Sequence, residues 1–165
     1  METPPVSASP RITIRELGHV SLFVRDLEAS RRFYRDVLGL AETGLGKGGR
    51  IAFFSAGRHH HDVSCEVARV EGAERAPTGA PGLYNVAFAV GEALDDLAAA
   101  RRGAEAHGLT PFGETDRSFS VRDPDGHEIE LYVDGPAGRD GSERTRQMAA
   151  TPAARAASTK PNAGR

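Results

Sequence analysis

The sequence contains two successive segments with the same predicted order of strands and helices. Residues 17–24 (LGHVSLFV) and 83–90 (LYNVAFAV) alternate apolar side chains with others, as half-buried strands do, and a helical pattern follows each. The first helix is predicted to open with Asp26 as its N-cap, to place Phe33 or Tyr34 on its apolar face and to stop at Gly39; the second covers residues 92–108. Further strands come next: RIAFFSA and DVSCEVARV in the first segment, and LTPFGE, SFSVRD and HEIELYV in the second. The repeat indicates a duplicated βαβββ unit and an α+β fold.

The folded part of the chain is predicted to lie between two low-complexity ends. We place one domain at residues 13–134, with module one at 13–70 and module two at 82–134. Residues 1–12 and 135–165 hold few bulky apolar side chains. Because burial in these ends cannot offset the entropy of ordering them, we expect both to be disordered.

Charge and cysteine content exclude several classes of protein. The formal net charge of −2 gives no field that would gather nucleic acid or an anionic membrane. The single cysteine, Cys65, cannot form a disulfide within the chain, and no segment has the apolar length that spans a bilayer. We therefore expect a cytoplasmic protein without nucleic-acid or membrane partners, and we interpret Cys65 as a core residue.

The repeat predicts that residues at equivalent places in the two modules converge. His19 opens the first module where Asn85 opens the second, and Glu66 and Glu130 lie on the last strand of each. Histidine and carboxylate side chains that converge on one face are typical of a metal site. The alternatives are a hydrogen-bonded His19 and Glu130 pair that only joins the modules, a rim carboxylate at Glu66, and an Asn85 that bonds substrate.

Other side chains are predicted to line the same face. His60 points opposite to its neighbours if residues 59–61 continue a strand, so it is a candidate proton carrier, as is His61; an exposed strand end is the alternative. His127, beside the DPDG turn, is predicted to lie on the surface. The candidate substrate contacts on this face are Ser21, Phe23, Asn85 and Tyr132.

Four motifs resemble those of the vicinal oxygen chelate superfamily: GHVSLFVRDLEASRRFYRDVLGL, FFSAGRHHH, PGLYNVAFAV and DPDGHEIELYV. This superfamily includes glyoxalase I, type I extradiol catechol dioxygenases, fosfomycin-resistance enzymes, methylmalonyl-CoA epimerase and bleomycin-binding proteins. The resemblance implies a cup-shaped mixed sheet, with the helices outside, that holds one divalent metal ion. His19 and Glu130 match the first and last ligands of the family, Glu66 matches a ligand of glyoxalase-like members, and Asn85 stands where most members have histidine.

The serine–alanine–glycine sequence before the histidines and the PGLY sequence are most similar to small catechol 2,3-dioxygenase relatives. That similarity implies Fe(II) or Mn(II), with Zn(II) or Ni(II) as alternatives, and a small metal-chelating substrate. The acid/base histidine of those relatives falls near His60, His61 or Asp62, and their tyrosine falls at Ser120, which adds Ser120 to the substrate contacts.

Three functions are consistent with the resemblance. The first is an extradiol-type dioxygenase in which His60 or His61 moves protons. The second is a glyoxalase- or epimerase-type isomerase or lyase in which Glu66 or Glu130 is the base. The third is a protein that binds a small molecule or antibiotic without catalysis, which the asparagine at position 85 favours. The family also implies a homodimer.

Overall fold

The computed structural model of the protein describes residues 12–72, 74, 77 and 79–135, and the chain divides into two compact units. Unit one comprises Met1–Val86 with Arg122–His127, and unit two comprises Ala87–Val121 with Glu128–Arg165. Apart from residues 12 and 135, the predicted disordered ends lie outside the described residues.

The first sheet has four strands, and the chain enters and leaves it on neighbouring strands. Their order is β1-β4-β3-β2, with β1 parallel to β4 and antiparallel pairing elsewhere. A helix connects the first two strands, which gives the predicted βαβββ order. The elements are β1 (Val20–Val24), α1 (Leu27–Arg31, continued by a π-helical turn at Arg32–Val37), β2 (Ala41–Gly46), β3 (Ile51–Ser55) and β4 (Val63–Val67).

The helix begins as predicted but widens towards its end. The carboxylate of Asp26 caps it by accepting two backbone N–H groups of the first turn at 2.9 and 3.0 Å. The N–H of Leu38 donates to the carbonyl oxygen of Phe33, five residues earlier, at 3.0 Å. A π-helical turn of this kind shifts side chains around the axis, and both Phe33 and Tyr34 are buried. Regular helical spacing had predicted only one of the two inside.

One face of the first sheet packs against this helix. Leu22, Phe54, Val63 and Cys65 are each at most 5% exposed, and the Phe54 ring lies 5.5 Å from that of Tyr34. Cys65 is thus a core residue, as predicted, and burial raises the pKa of its thiol.

The opposite face of the first sheet, called here the polar face, carries the candidate residues Ser21, Phe23 and Glu66. Gly46 borders it, and a Cβ there would come within 2.8 Å of Ile51 and 3.1 Å of Phe53. Glycine at position 46 therefore makes room for the Phe53 ring. By strand register the polar face includes Ser21, Phe23, Ile51, Phe53, Ser64 and Glu66.

The second sheet repeats the strand order of the first with one strand fewer. Its order is β5-β7-β6, so again the first strand lies beside the last. The predicted strand LTPFGE is reduced to one bridge between Phe112 and Ser120, because Pro111 has no N–H to donate and Gly113 turns the chain at φ +62°. The elements are β5 (Asn85–Gly91), α2 (Leu94–Ala106), β6 (Ser118–Arg122) and β7 (Glu128–Val133).

Apolar alternation decides which way β7 faces. Ile129, Leu131 and Val133 are at most 6% exposed, whereas Glu130 and Tyr132 are half-buried on the opposite side. The predicted alternation of this strand is confirmed, and the α+β class is confirmed with it. Among the described residues, no helix is both long and apolar enough to cross a membrane.

Candidate functional site

Two segments that are far apart in the chain meet at one end of the β1–β4 ladder. The N–H of Val20 donates to the carbonyl oxygen of Asp62 at 3.0 Å, just before the parallel register that pairs Val20 with Val63. This bond brings the residue before β1 beside the residues before β4. The imidazole rings of His19 and His61 consequently lie with their centroids 4.4 Å apart.

The rings of His19, His60 and His61 form an imidazole cluster beside Phe53. The Phe53 ring lies 4.8 Å from that of His61 and 6.1 Å from that of His60. The Nδ1 atoms of His60 and His61 are 3.0 Å apart, so one of them carries the shared hydrogen and the other accepts it. Burial, together with the neighbouring His19 and His60, lowers the pKa of His61. His61 is therefore neutral at neutral pH and able to accept a proton.

The loop before β4 is held by the Asp62 carboxylate. It accepts the N–H of Ala56 at 2.7 Å, contacts Nδ1 of His59 at 2.7 Å, and accepts the hydroxyl of Ser55 at 3.4 Å. Burial alone would raise the pKa of Asp62, but the hydrogen bonds from His59 and Ala56 outweigh it and lower that pKa. His59 and Asp62 thus fix the loop, and His60 and His61 project from it.

Glu66 lies on the polar face opposite Phe23 and is ion-paired. Its Oε2 atom is 2.6 Å from Nζ of Lys47 and its Oε1 atom is 3.3 Å from a guanidinium nitrogen of Arg69. The hydrogen bond from Lys47 is the largest cause of the lowered pKa of Glu66. A carboxylate with a lowered pKa is a weaker proton acceptor near neutral pH.

The predicted substrate contacts of unit one differ in exposure. Ser21 is hydrogen-bonded to Ser64 through their hydroxyl oxygens at 2.8 Å. Phe23 is 59% exposed on the same face. Asn85, the first residue of β5, is half-buried.

Unit two contains a buried carboxylate near Glu130 that the sequence analysis did not predict. Glu128 is 8% exposed, and the hydroxyl of Ser120 donates to its Oε1 atom at 3.1 Å. Ser120 therefore bonds an acidic residue on the same strand face as Glu130 and Tyr132. The signal was present in the sequence, because Glu128 shares the parity of Glu130 two residues later.

Asp123, which the sequence predicted as a turn residue but not as a partner of Tyr34, anchors the turn that precedes β7. Its Oδ2 atom accepts the hydroxyl of Tyr34 at 3.0 Å and contacts Nδ1 of His127 at 2.9 Å. Its Oδ1 atom accepts the N–H of His127 at 2.7 Å and that of Asp125 at 3.0 Å. The prediction of a surface His127 was wrong: only 19% of its side chain is exposed, because Asp123 holds it inward.

The donor atoms of the predicted metal set suit a divalent ion. Imidazole nitrogen at His19 and carboxylate oxygen at Glu130 and Glu66 are common ligands of first-row metals, and the Asn85 amide offers a weaker oxygen. Within each unit, taken by itself, the described residues hold no group of three histidine, cysteine, aspartate or glutamate side chains that could bind a metal. Convergence of His19 and Glu130 stays a prediction.

Comparison with known proteins places these features in a family. The sequence model of the Glyoxalase/Bleomycin resistance protein/Dioxygenase superfamily matches residues 16–131. A catechol-2,3-dioxygenase of Bacillus subtilis is 36% identical over 110 residues, which span 66% of this chain but only 37% of that protein. The glutathione transferase FosA of Serratia marcescens is 30% identical over 129 residues, 76% of this chain and 86% of that protein.

A solved structure agrees with the sequence matches. The crystal structure of a glyoxylase/bleomycin resistance protein/dioxygenase domain from Frankia sp. EAN1pec superimposes with a TM-score of 0.58 at 26% identity, covering 73% of this chain and 98% of that one. The strand order, the duplicated pattern and the sequence match agree. The chain therefore belongs to the Glyoxalase/Bleomycin resistance protein/Dioxygenase superfamily.

Proposed function

We propose that this protein is a metal-dependent enzyme whose chemistry is of the extradiol catechol-dioxygenase type. The observation that carries the proposal is the imidazole cluster: His61, with a lowered pKa, lies 4.4 Å from His19, ring centroid to ring centroid. The 36% identity to a catechol-2,3-dioxygenase supports the same reaction class.

The proposed metal ligands are His19 and Glu130, with Glu66 and Asn85 as further candidates. Members of the superfamily generally use a divalent metal ion, and for this chain we propose Fe(II) or Mn(II), with Zn(II) or Ni(II) as alternatives. When bound, such an ion acidifies a coordinated hydroxyl group and keeps open positions for substrate oxygens.

We propose a role for each remaining candidate. Neutral His61 accepts a proton from a catecholic hydroxyl, and the more exposed His60 exchanges that proton with solvent through the contact between their Nδ1 atoms. Phe53 and Phe23 offer apolar surface to an aromatic ring. The proposed polar contacts to substrate are Ser21, Asn85, Ser120 and Tyr132.

Oxygen consumption tests this proposal directly. The purified chain is stripped of metal, reloaded with Fe(II) or Mn(II), and mixed with a panel of catechols in an oxygen electrode. We expect uptake that depends on metal and catechol, and a loss of about 100-fold in His61→Gln. The matched control is His107→Gln, an exposed histidine that follows α2. A fully metallated protein that consumes no oxygen with any catechol refutes the dioxygenase.

A second candidate is a glyoxalase- or epimerase-type isomerase or lyase, or a related transferase. It is favoured by coverage, because the chain matches 86% of the length of FosA but 37% of the catechol dioxygenase. Here Glu66 or Glu130 would move a proton next to a polarised carbonyl. Solvent deuterium appearing in an α-hydroxy ketone or thioester would support it. Unchanged exchange in both Glu66→Gln and Glu130→Gln would remove its base.

The third candidate is a protein that binds a small molecule or antibiotic without catalysis. The asparagine at position 85 favours it, because an amide is a weaker metal ligand than imidazole. Metal-stripped protein should then bind the same ligand as metal-loaded protein, which calorimetry measures.

Members of the superfamily commonly form oligomers, and we propose a homodimer, which analytical ultracentrifugation tests.

A further inference from the structure

We infer that His61 binds the divalent metal ion together with His19, and that it supplies the imidazole that this chain lacks at Asn85. The inference rests on the proposed metal-dependent function and adds a ligand to it. Because both ring nitrogens of His61 are then engaged, the proton-accepting role given to His61 above falls to His60. Position 61 is not one of the ligand positions that the family motifs identify in this sequence.

The backbone itself sets the closeness of the two rings. The parallel ladder of β1 and β4 and the bond from the N–H of Val20 to the carbonyl oxygen of Asp62 fix the two segments side by side. On the far side of the loop, the Asp62 carboxylate accepts the N–H of Ala56 and contacts His59. His61 therefore projects from an anchored segment, as a preorganised ligand must.

The ring separation is close to what two imidazoles on one ion require. With metal–nitrogen distances of about 2.0–2.1 Å and angles between about 90° and 109°, the two ring centroids are separated by about 4.5–5.2 Å. The centroids of the His19 and His61 rings are 4.4 Å apart, just below the lower end of that range.

His60 has a different relation to His61. Their centroids are 5.3 Å apart with Nδ1 atoms at 3.0 Å, the geometry of two nitrogens that share a hydrogen. This contact occupies Nδ1 of His61 and leaves Nε2 as the nitrogen for a metal. A ligand histidine whose other nitrogen is hydrogen-bonded has its tautomer and orientation fixed, so His60 is the positioning residue for His61.

The substitution of asparagine for histidine at position 85 explains why a second imidazole, that of His61, would be needed beside His19. The amide oxygen of Asn85 is a poorer ligand than imidazole for borderline ions such as Co(II), Ni(II) and Zn(II). With His61 the chain regains two nitrogen ligands without a histidine at position 85. Phe53, packed 4.8 Å from the His61 ring, limits how far that ring can swing away.

Metal titration of the full, tag-free chain tests the inference. Metal-stripped protein is titrated with Co(II) by calorimetry, and the visible absorption of Co(II) is recorded. We expect His61→Gln to weaken Co(II) affinity at least about 10-fold and to reduce the nitrogen donors seen by Cu(II) electron paramagnetic resonance from two to one. His107→Gln should stay within about 2-fold of the unmodified chain. Far-UV circular dichroism confirms that each variant is folded.

The matching variant His19→Gln distinguishes a failure of the His61 ligand from a failure of the proposed metal site. If it loses Co(II) while His61→Gln binds as the unmodified chain does, His61 is not a ligand and the proposed metal function stands. If neither variant loses affinity, the metal site is elsewhere and both proposals fail. Loss in both variants, with His107→Gln unchanged, supports the imidazole pair.

Discussion

Replacing Tyr34 with phenylalanine isolates one hydrogen bond in the buried network around Asp123. Tyr34 is 0% exposed, and its hydroxyl donates to Oδ2 of Asp123 at 3.0 Å. The Asp123 side chain is itself 0% exposed, so the variant leaves a buried carboxylate with one donor fewer. The phenylalanine ring keeps the packing against Phe54, so the change removes the donor and little else.

The expected cost follows from the bonds that remain. A hydrogen bond to a charged group contributes about 1.5–3 kcal/mol, and the lower half applies here because His127 Nδ1 still lies 2.9 Å from Oδ2. We expect Tyr34→Phe to lower the free energy of unfolding by about 1.5–2 kcal/mol. Urea denaturation followed by far-UV circular dichroism measures it, with an unchanged slope against urea.

A matched variant guards this measurement. Tyr84→Phe removes the same hydroxyl from a side chain that is 76% exposed, and it should change stability by less than about 0.5 kcal/mol. If Tyr34→Phe costs no more than Tyr84→Phe, the bond to Asp123 contributes nothing measurable and the account of the network is wrong.

Three further predictions concern ionisation and metal binding. Burial and the Asp123 charge raise the pKa of Tyr34. The Tyr34 hydroxyl therefore keeps its proton in the folded protein at a pH where the unfolded protein loses it, so the stability of the fold should decrease above about pH 10. Thermal melts at increasing pH should show a smaller decrease of the melting temperature in Tyr34→Phe. The pKa of Asp62 is lowered, so its contribution to the stability of the fold is present above about pH 4 and is lost below it. Asp62→Asn should lower the free energy of unfolding by about 1 kcal/mol at pH 7. In a plot of the urea midpoint against pH, this variant should show a smaller decrease at acid pH than the unmodified chain. Asn85→His should raise Co(II) affinity about tenfold by adding an imidazole, and equal metal content by elemental analysis would count against Asn85 as a ligand position.

Periodicity predicted the elements whose structure depends on local alternation. The alternation in β1 and β7, the Asp26 cap and the core position of Cys65 all follow from spacing and chemistry within a few residues. The strand order β1-β4-β3 recurs as β5-β7-β6, as a duplicated unit requires.

Features that depend on distant partners were not predictable in the same way. The π-helical turn that buries both Phe33 and Tyr34 has no periodic signature in the sequence. Asp123 was recognised as a turn residue, but its buried partner Tyr34 lies 89 positions away in the chain. The ion pair of Glu66 with Lys47 likewise depends on the fold of the hairpin. The local sequence pattern predicts which face of an element a side chain lies on, but it does not predict the residue from a distant part of the chain that the side chain contacts.

His19 and His61 adjoin the beginning of β4, where the N–H of Val20 donates to the carbonyl oxygen of Asp62. The turn of the β2–β3 hairpin, residues 47–50, meets the opposite end of β4, where Lys47 pairs with Glu66 and the N–H of Val67 donates to the carbonyl oxygen of Arg50. Changes at residues 47–50 can alter the charge that Lys47 presents to Glu66 without touching Phe53, which packs against His61. Substitutions intended to change ligand preference would therefore disturb the imidazole pair least if they are made at residues 47–50.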